Sequence, residues 1–326
     1  MSPLHGCRLV VADAPLRDVI QDATYPIWNE GLSRASYGKW NGAQMRTAWG
    51  RDRLHRLALV DAGGNWAASL KRYRFTARLD GADVPVVGIG AVFTPPERRG
   101  QSHARHIVEE TLAQEAAAGA ALAILFSEIG ADYYRRLGFE PAPLDAVTLQ
   151  VRAGAGAPAM LVRAGTGTDV ASLAAMHEAR AAAARFSLAR TPELIEYAIS
   201  KRRLLAGLGP PGLRQTEFFV AEEGSTAVAY VVITVDGGGW TIEEAGDRDP
   251  AAARLGAMLQ VLLAREPSQR IPAIRAWWPR HMPVPPQVTI TSRAPAMGEV
   301  FMARPLRGGI APLTSDDLFY WRSDVF

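Results

Sequence analysis

Apolar positions along the chain switch between a period of two and a period near 3.6, and the switches lay out the elements. Residues 8–12 predict a short strand, and residues 15–51 follow with helical spacing broken at Gly31, Gly38 and Gly42, which predicts two helices or a helix with a loop. Strands are predicted over 56–60, 66–78 and 84–94, an antiparallel meander divided by the turn signals at Asp61-Ala-Gly-Gly64 and Asp80-Gly81. Between 101 and 118, Ala104, Ile107, Val108, Thr111, Leu112 and Glu115 share one helical face. Gly119 stops that helix. The unbroken apolar run 122–126 suits a buried strand lying parallel to its predecessor across the helical crossover, and a short helix over 132–137 ends at Gly138.

The pattern then starts again. Pro141, Pro143 and the Ala-Gly-Ala-Gly-Ala-Pro stretch at 153–158 mark the least structured connection. Beyond it come a strand at 160–163, a helix N-capped by Thr168 or Asp169 and running to 180, and a helix opened by Pro192 and running to 203. A meander over 216–222, 226–236 and 240–244, a helix over 250–264 and a strand over 271–278 complete the second series. The repeated order predicts an internal duplication. The fold class is α/β (α+β), with two tandem domains at residues 1–150 and 159–326, each a mixed, mostly antiparallel sheet flanked by helices.

Composition narrows the functional classes. A chain of 326 residues, 48% hydrophobic and 21% charged, can fill two cores. Its 36 basic and 33 acidic residues leave a net charge of +3 without a basic domain, so nucleic acid is not an expected partner. Only Lys39, Lys71 and Lys201 are lysines; the other 33 basic residues are arginines, a bias expected of a GC-rich bacterial gene. The lone Cys7 rules out an intrachain disulfide and a cysteine-built metal cage. His103 and His106 lie one turn apart without a third ligand, so no metal is expected. Residues 1–8 lack the form of a secretory signal, and no apolar stretch approaches the roughly 18 residues of a membrane span. The expected setting is the cytoplasm, with no membrane partner; a homo-oligomer is compatible with the sequence.

The stretch Val92-Phe-Thr-Pro-Pro-Glu-Arg-Arg-Gly-Gln-Ser-His-Ala-Arg105 sets a polar turn between a strand and a helix. Amides of a first helical turn have no intrahelical acceptor, and the helix dipole adds about half a positive charge there, so such a turn can bind an anion through its main chain. Arg98 and Arg99 add charge. Gly100 allows close backbone approach, and Ser102 and Ala104 keep the turn open. A purely structural strand-to-helix turn has the same appearance.

These residues resemble the acyl-CoA loop of the GNAT superfamily of N-acetyltransferases, Arg/Gln-x-x-Gly-x-Gly/Ala, here Arg99-Gly100-Gln101-Ser102-His103-Ala104 with Ser102 in place of the central glycine. A second motif, Tyr134-Arg-Arg-Leu-Gly138-Phe139, is similar to the family's Tyr-x-x-x-Gly-Phe after the next strand. The resemblance covers roughly residues 8–145. It implies transfer of acetyl from acetyl-CoA, a cosubstrate, to an amine, without a metal. It further implies that backbone amides at Val92, Phe93 and Thr94 grip the thioester and pantetheine, in the opening between the strands ending at Thr94 and Phe126 where Pro95 and Pro96 interrupt pairing. Tyr134 would be the general acid that protonates the departing thiolate, while Tyr133 beside it has a packing role open to both. Ser127 would meet the cofactor's sulfur or pantetheine, or else cap the next turn.

Candidates for receiving the amine's proton are Glu128, alternatively a solvated loop carboxylate, and the carboxylate of Phe326. The ending Asp316-Asp-Leu-Phe-Tyr-Trp-Arg-Ser-Asp-Val-Phe326 is too aromatic to be a frayed tail, and it resembles that of the enhanced-intracellular-survival acetyltransferases, whose terminal Phe carboxylate reaches the active site. Simple packing of the tail is the other reading. Val92-Phe-Thr and Ser127-Glu-Ile-Gly130 are similar to strings of the fungal lysine acetyltransferases. The acceptor is thus expected to be a small cationic amine: an amino acid, a polyamine or an aminoglycoside-like compound. Trp28, Tyr37 and Trp40, with Tyr25, are expected either to wall its groove, where cation–π attraction contributes about 0.5–2 kcal/mol, or to pack in the core.

The second domain lacks the loop, since Ala245-Gly-Asp-Arg-Asp-Pro250 carries two carboxylates that would repel pyrophosphate. It is expected to be a degenerate copy. Glu243 and Glu244 are expected at a solvated strand edge, and the basic runs at 51–56 and 201–203 on solvated faces. The alternative function is a non-catalytic acyl-CoA-binding regulatory module.

Overall fold

The computed structural model describes residues 6–152, 160–266, 271–296 and 298–326. The linker expected at 153–158, and all but the end of the N-terminal segment read for a signal, lie outside them. In chain order the strands and helices are β1 (Arg8–Val11), α1 (Ala14–Trp28), α2 (Arg34–Arg46), α3 (Ala48–Arg53), β2 (Leu54–Val60), β3 (Trp66–Leu79), β4 (Ala82–Phe93), α4 (His103–Ala117), β5 (Leu122–Ser127), α5 (Asp132–Arg135), β6 (Glu140–Pro141) and β7 (Asp145–Val151). They continue as β8 (Leu161–Ala164), α6 (Val170–Ala181), β9 (Phe186–Leu188), α7 (Pro192–Leu208), β10 (Arg214–Glu223), β11 (Thr226–Asp236), β12 (Gly239–Asp247), α8 (Ala253–Leu263), β13 (Ile274–Trp277), β14 (Val288–Pro295), β15 (Val300–Pro305) and β16 (Leu318–Phe319).

These strands form two mixed sheets with matching order. One runs β1-β2-β3-β4-β5-β15-β6 and the other β8-β10-β11-β12-β13-β7-β14. Each contains a parallel pair joined by a helix, β4 with β5 across α4 and β12 with β13 across α8. The sixth place in each sheet is filled from the other half of the chain: β15 lies antiparallel between β5 and β6, and β7 lies antiparallel between β13 and β14. The duplication therefore includes an exchange of strands across residues 153–158. Phe301 and Met302 of β15 are fully buried in the first sheet, and Val147 and Leu149 of β7 are buried in the second. Complete burial of each large side chain contributes about 1.5–3 kcal/mol, so each half depends on the other for core material.

Local chemistry explains most boundaries. Asp13, Ser33, Thr47 and Thr191 accept backbone N–H bonds at the starts of α1, α2, α3 and α7. The region 15–51 breaks at Gly31, whose φ is +77°, and at Thr47; Gly38 and Gly42 lie inside α2 and interrupt nothing. Asp169 stands at the N-cap position of α6, as one of the two expected residues, but its side chain does not bond into that helix. Thr166 and Asp169 form a capping box around the short 3-10 turn Gly167–Asp169 that leads into the helix. Strands β6, β7, β9, β14, β15 and β16 add to the predicted set, and their partners are distant in sequence.

The chain's ending crosses the interface between the halves. β16 pairs parallel with β9, which itself pairs with β3 of the first sheet. Leu318, Phe319, Tyr320 and Trp321 are all buried. Behind them Arg190, fully buried, contacts Glu244 at 2.5 Å and Asp324 at 3.4 Å. The tail is thus held by both apolar packing and a buried charge cluster.

Candidate active site

β4 and β5 pair from Val86–Leu122 to Ile89–Leu125 and then separate. The parting starts at Gly90, upstream of Pro95 and Pro96, where a β-bulge sets Ala91 and Val92 together against Leu70 and gives Ala91 a φ of +48°. The bulge, and not the proline pair, opens the strands. Arg56, buried on β2, donates to the Ala91 carbonyl at 3.3 Å and supports this shape.

A cavity of about 230 Å³ occupies the opening. Trp28, Tyr37 and Trp40 line it, as do Val92, Ser127, Glu128, Tyr134 and Phe326. Tyr37 and Trp40 are held in place by their polar ends: the Tyr37 hydroxyl is 3.2 Å from that of Thr24, and the Trp40 indole N–H donates to the Lys201 carbonyl at 2.9 Å. Tyr25 instead packs on Tyr37 and donates to the Leu32 carbonyl. Phe93 is buried between Trp28 and Trp66, behind the wall.

Tyr134 is 8% exposed, with its ring edge-to-face on Tyr133 and Phe139. Its hydroxyl makes no hydrogen bond among the described residues. Burial, followed by Tyr133 and Glu128, pushes the phenol well above its ordinary range, so it is a proton carrier at neutral pH. Tyr133 is only half-buried and lies beneath the Arg136 guanidinium. Ser127, at the cavity's edge, donates its hydroxyl proton to the Gly130 carbonyl, which caps the turn after β5. Glu128 is exposed at the rim and accepts the Trp28 indole N–H at 3.1 Å.

The turn before α4 is shaped for close approach. Gly100 has φ +75° and Ser102 φ +62°, so the serine adopts the left-handed conformation that a glycine accepts without strain. The first bond of α4 runs from the His106 N–H to the Ser102 carbonyl, leaving the amides of His103, Ala104 and Arg105 without an acceptor in the turn. Arg99 donates to the Thr94 carbonyl at 3.3 Å and remains exposed, whereas Arg98 pairs with Asp61 at 3.3 Å. The Gln101 side chain is 3.2 Å from the ring of buried His103. Among the described residues no group of three metal-ligating side chains occurs.

Phe326 closes one wall. Its ring centroid is 4.8 Å from that of Tyr73, 5.2 Å from Phe75 and 5.6 Å from Phe126, while its backbone oxygen lies above Gly90.

Two basic runs expected on solvated faces turn inward. Arg56 and Lys201 both line the cavity, together with Lys71 of β3. Strand alternation buries Leu54 and Arg56, and Arg202 pairs with Glu243 at 3.0 Å. Burial, reinforced by Arg56 and Lys201, lowers the Lys71 ammonium well below its ordinary range, and burial brings Lys201 down to about 8. A signal was present in the sequence: in a chain with three lysines, two of them meet in one cavity.

The second sheet blocks the corresponding place with its own side chains. Ala252 before α8 has φ +55°, as Ser102 does before α4, but the Asp247 carboxylate accepts the Leu255 N–H at 2.7 Å and so occupies the helix start. Glu243 and Glu244, expected at a solvated edge, are completely buried. Arg202 and Arg322 hold Glu243 and Arg190 holds Glu244, because a carboxylate in the interior requires a paired cation.

A family described as "Acetyltransferase (GNAT) domain" matches residues 20–142. This segment is an acetyltransferase (GNAT) domain. It contains the bulged β4, the turn before α4 and Tyr134, and it makes the chain an acyltransferase. GNAT domains bind acetyl-CoA, and the orphaned amides and parted strands fit that cosubstrate. Solved structures of similar fold include a GCN5-related N-acetyltransferase from Kribbella flavida (18% identity, TM-score 0.68), covering 92% of this chain and 71% of that one. A probable N-acyltransferase from Enterococcus faecalis has 16% identity and a TM-score of 0.66, over 92% and 72% of the two chains. Eis1 from Mycobacterium abscessus has 16% identity and a TM-score of 0.57, over 92% and 74%. The shared fold thus extends through the C-terminal half beyond the GNAT domain match. A search of curated proteins returned no match. No helix among the described residues is long and apolar enough to cross a membrane.

Proposed function

We propose that the GNAT domain transfers acetyl from acetyl-CoA directly to a primary amine of a small acceptor held in the cavity beneath Trp28, Tyr37 and Trp40. The observation that carries this is the place of Tyr134, lining the cavity beside the parted ends of β4 and β5 with no hydrogen-bond partner for its hydroxyl among the described residues; burial, which raises the phenol's pKa, favours the protonated form an acid needs. Pyrophosphate rests on the amides of residues 103–105, near Arg99, and the thioester lies along Gly90–Thr94. The neutral amine attacks the thioester carbon, and backbone amides of the bulge stabilise the oxyanion; one such donor is worth about 3 kcal/mol in well-studied cases. The C–N bond forms, the amine's surplus proton passes to Glu128 or to the Phe326 carboxylate, the C–S bond breaks, and Tyr134 gives its proton to the thiolate.

Thiol release from acetyl-CoA across a panel of amino acids, polyamines and aminoglycosides tests the proposal. At least one amine accelerates release if the reading holds. CoA binding without turnover on any amine would leave a non-catalytic acyl-CoA-binding module in its place.

A further inference from the structure

The cavity has a polarity that the acetyl-transfer reading alone does not require. Arg56, Lys71 and Lys201 line it, and no carboxylate among the described residues comes within ion-pair distance of any of them. This is unusual in the molecule, where other buried basic groups are matched: Arg72 with Glu115 at 3.0 Å, Arg190 with Glu244, and Arg202 with Glu243. The charged neighbours acting on Lys71 are Arg56 and Lys201, both cations. Its Nζ lies 5.8 Å from the centroid of the Trp40 ring and has no hydrogen-bond acceptor among the described residues. Lys71 also pairs in register with Gly90, so it stands on the strand position facing the proposed acyl groove.

Carboxylates line the same cavity elsewhere. Glu128 is anchored by Trp28, the Phe326 carboxylate lies above Gly90 beyond ion-pair distance of the three cations, and Glu299 and Glu30 act through their charge on Lys201, which donates to the Val325 carbonyl at 3.1 Å. One chamber therefore presents an unmatched cationic group and a separate acidic rim. A polycation is poorly served by the first, and a simple anion by the second.

We infer that the acceptor is an amino carboxylate, a small molecule whose carboxylate is bound by Lys71 with Arg56 and Lys201 while its amine faces the Glu128 side. The inference rests on the proposed acetyl transfer and selects among its acceptors. A carboxylate beside Lys71 removes the penalty that burial and like charge place on the ammonium. It gives that group the ion pair which other buried cations of the chain already have.

The test compares amino acids with the amines that lack only the carboxylate: L-lysine with 1,5-diaminopentane, L-ornithine with 1,4-diaminobutane, and the other proteinogenic amino acids with their decarboxylated counterparts. CoA release gives kcat/KM for each, and calorimetry of CoA binding is run separately. At least one amino acid is expected to exceed its partner by about 10- to 100-fold, as loss of a buried charge-assisted contact predicts. Lys71→Met should collapse that ratio toward one, and Lys71→Arg should restore most of it. The ratio is read within each variant, so a general loss of folded protein does not mimic the effect. Equal turnover of the paired compounds, a preference for the diamines, or a ratio unchanged in Lys71→Met overturns the inference. If CoA binds and amines lacking a carboxylate turn over equally well, the acetyl-transfer reading survives and the anion subsite fails; if CoA does not bind, the failure lies in the reading beneath it.

Discussion

The ring of Phe326 rests on the backbone of Gly88: a Cβ placed on that glycine would fall 2.8 Å from two of the ring's carbons. The chain's last aromatic group and a central residue of β4 are therefore fitted to one another, and the absence of a side chain at residue 88 makes room for the tail. Gly88→Ala should expel the ring, reduce stability by about 1–3 kcal/mol, and lower kcat/KM more than Tm alone would predict. Denaturant midpoints alongside steady-state kinetics check both parts; wild-type kinetics would show that the tail's seat does not matter to the reaction.

Tyr134→Phe removes one oxygen and little packing. With Tyr134 as the acid, kcat should fall by about 10²- to 10⁴-fold while CoA affinity is retained. Full kcat in this variant would remove the phenol from the mechanism.

Ser102 holds a left-handed backbone that costs an ordinary residue about 1–2 kcal/mol. Ser102→Gly relieves this strain and should raise stability by about 1 kcal/mol after the glycine's own entropic cost is offset, with CoA binding at least as tight. Urea unfolding and calorimetry provide the measurement, and a destabilised glycine variant would contradict the strain argument.

Lys201 sits near 8 in the folded protein against an ordinary value near 10.5. Below pH 8 the side chain is protonated in both states and its burial penalty is complete. As pH rises from 8 to 10.5 the folded state holds fewer protons than the unfolded one, so this group contributes increasing stability with pH. Lys201→Met should flatten that rise. Unfolding midpoints at pH 8, 9 and 10 reveal the difference between the two proteins, and parallel curves would exclude the effect.

Asp247 caps the start of α8 from within the second sheet, accepting N–H bonds from Leu255 and Asp249. Asp247→Ala should cost about 1–2 kcal/mol of stability and leave acetyl transfer unchanged, since that end of the molecule has no part in the proposed reaction. A thermal melt and the CoA-release assay separate the two effects.

Features set by neighbouring residues were legible in the sequence. The Arg99–Ala104 turn and the Tyr134-to-Phe139 spacing depend on contacts a few residues long, and the parallel crossover through α4 follows from the order of strand, helix and strand along one short stretch of chain. What was hidden depends on distant partners. β15 reads as six residues with no strong alternation, and its place between β5 and β6 is decided by Phe126 and Phe301 meeting face to edge across the chain. The basic run containing Arg56 looks solvated until β2 is placed in the sheet, because charge density conceals which of its members the strand's alternation turns inward. Glu243 and Glu244 were obscured for the same reason: the arginines that neutralise them come from α7, from the segment before it and from the tail.

The reciprocal placing of β7 and β15 has a consequence for how the molecule is inherited and made. A ribosome releasing the first half alone leaves a gap beside β5 that only β15, 173 to 183 positions later, can fill, so neither sheet is finished until both have been translated. Each half of the chain supplies an inner strand of the other's sheet, so neither can be deleted without leaving an open place in the one that remains.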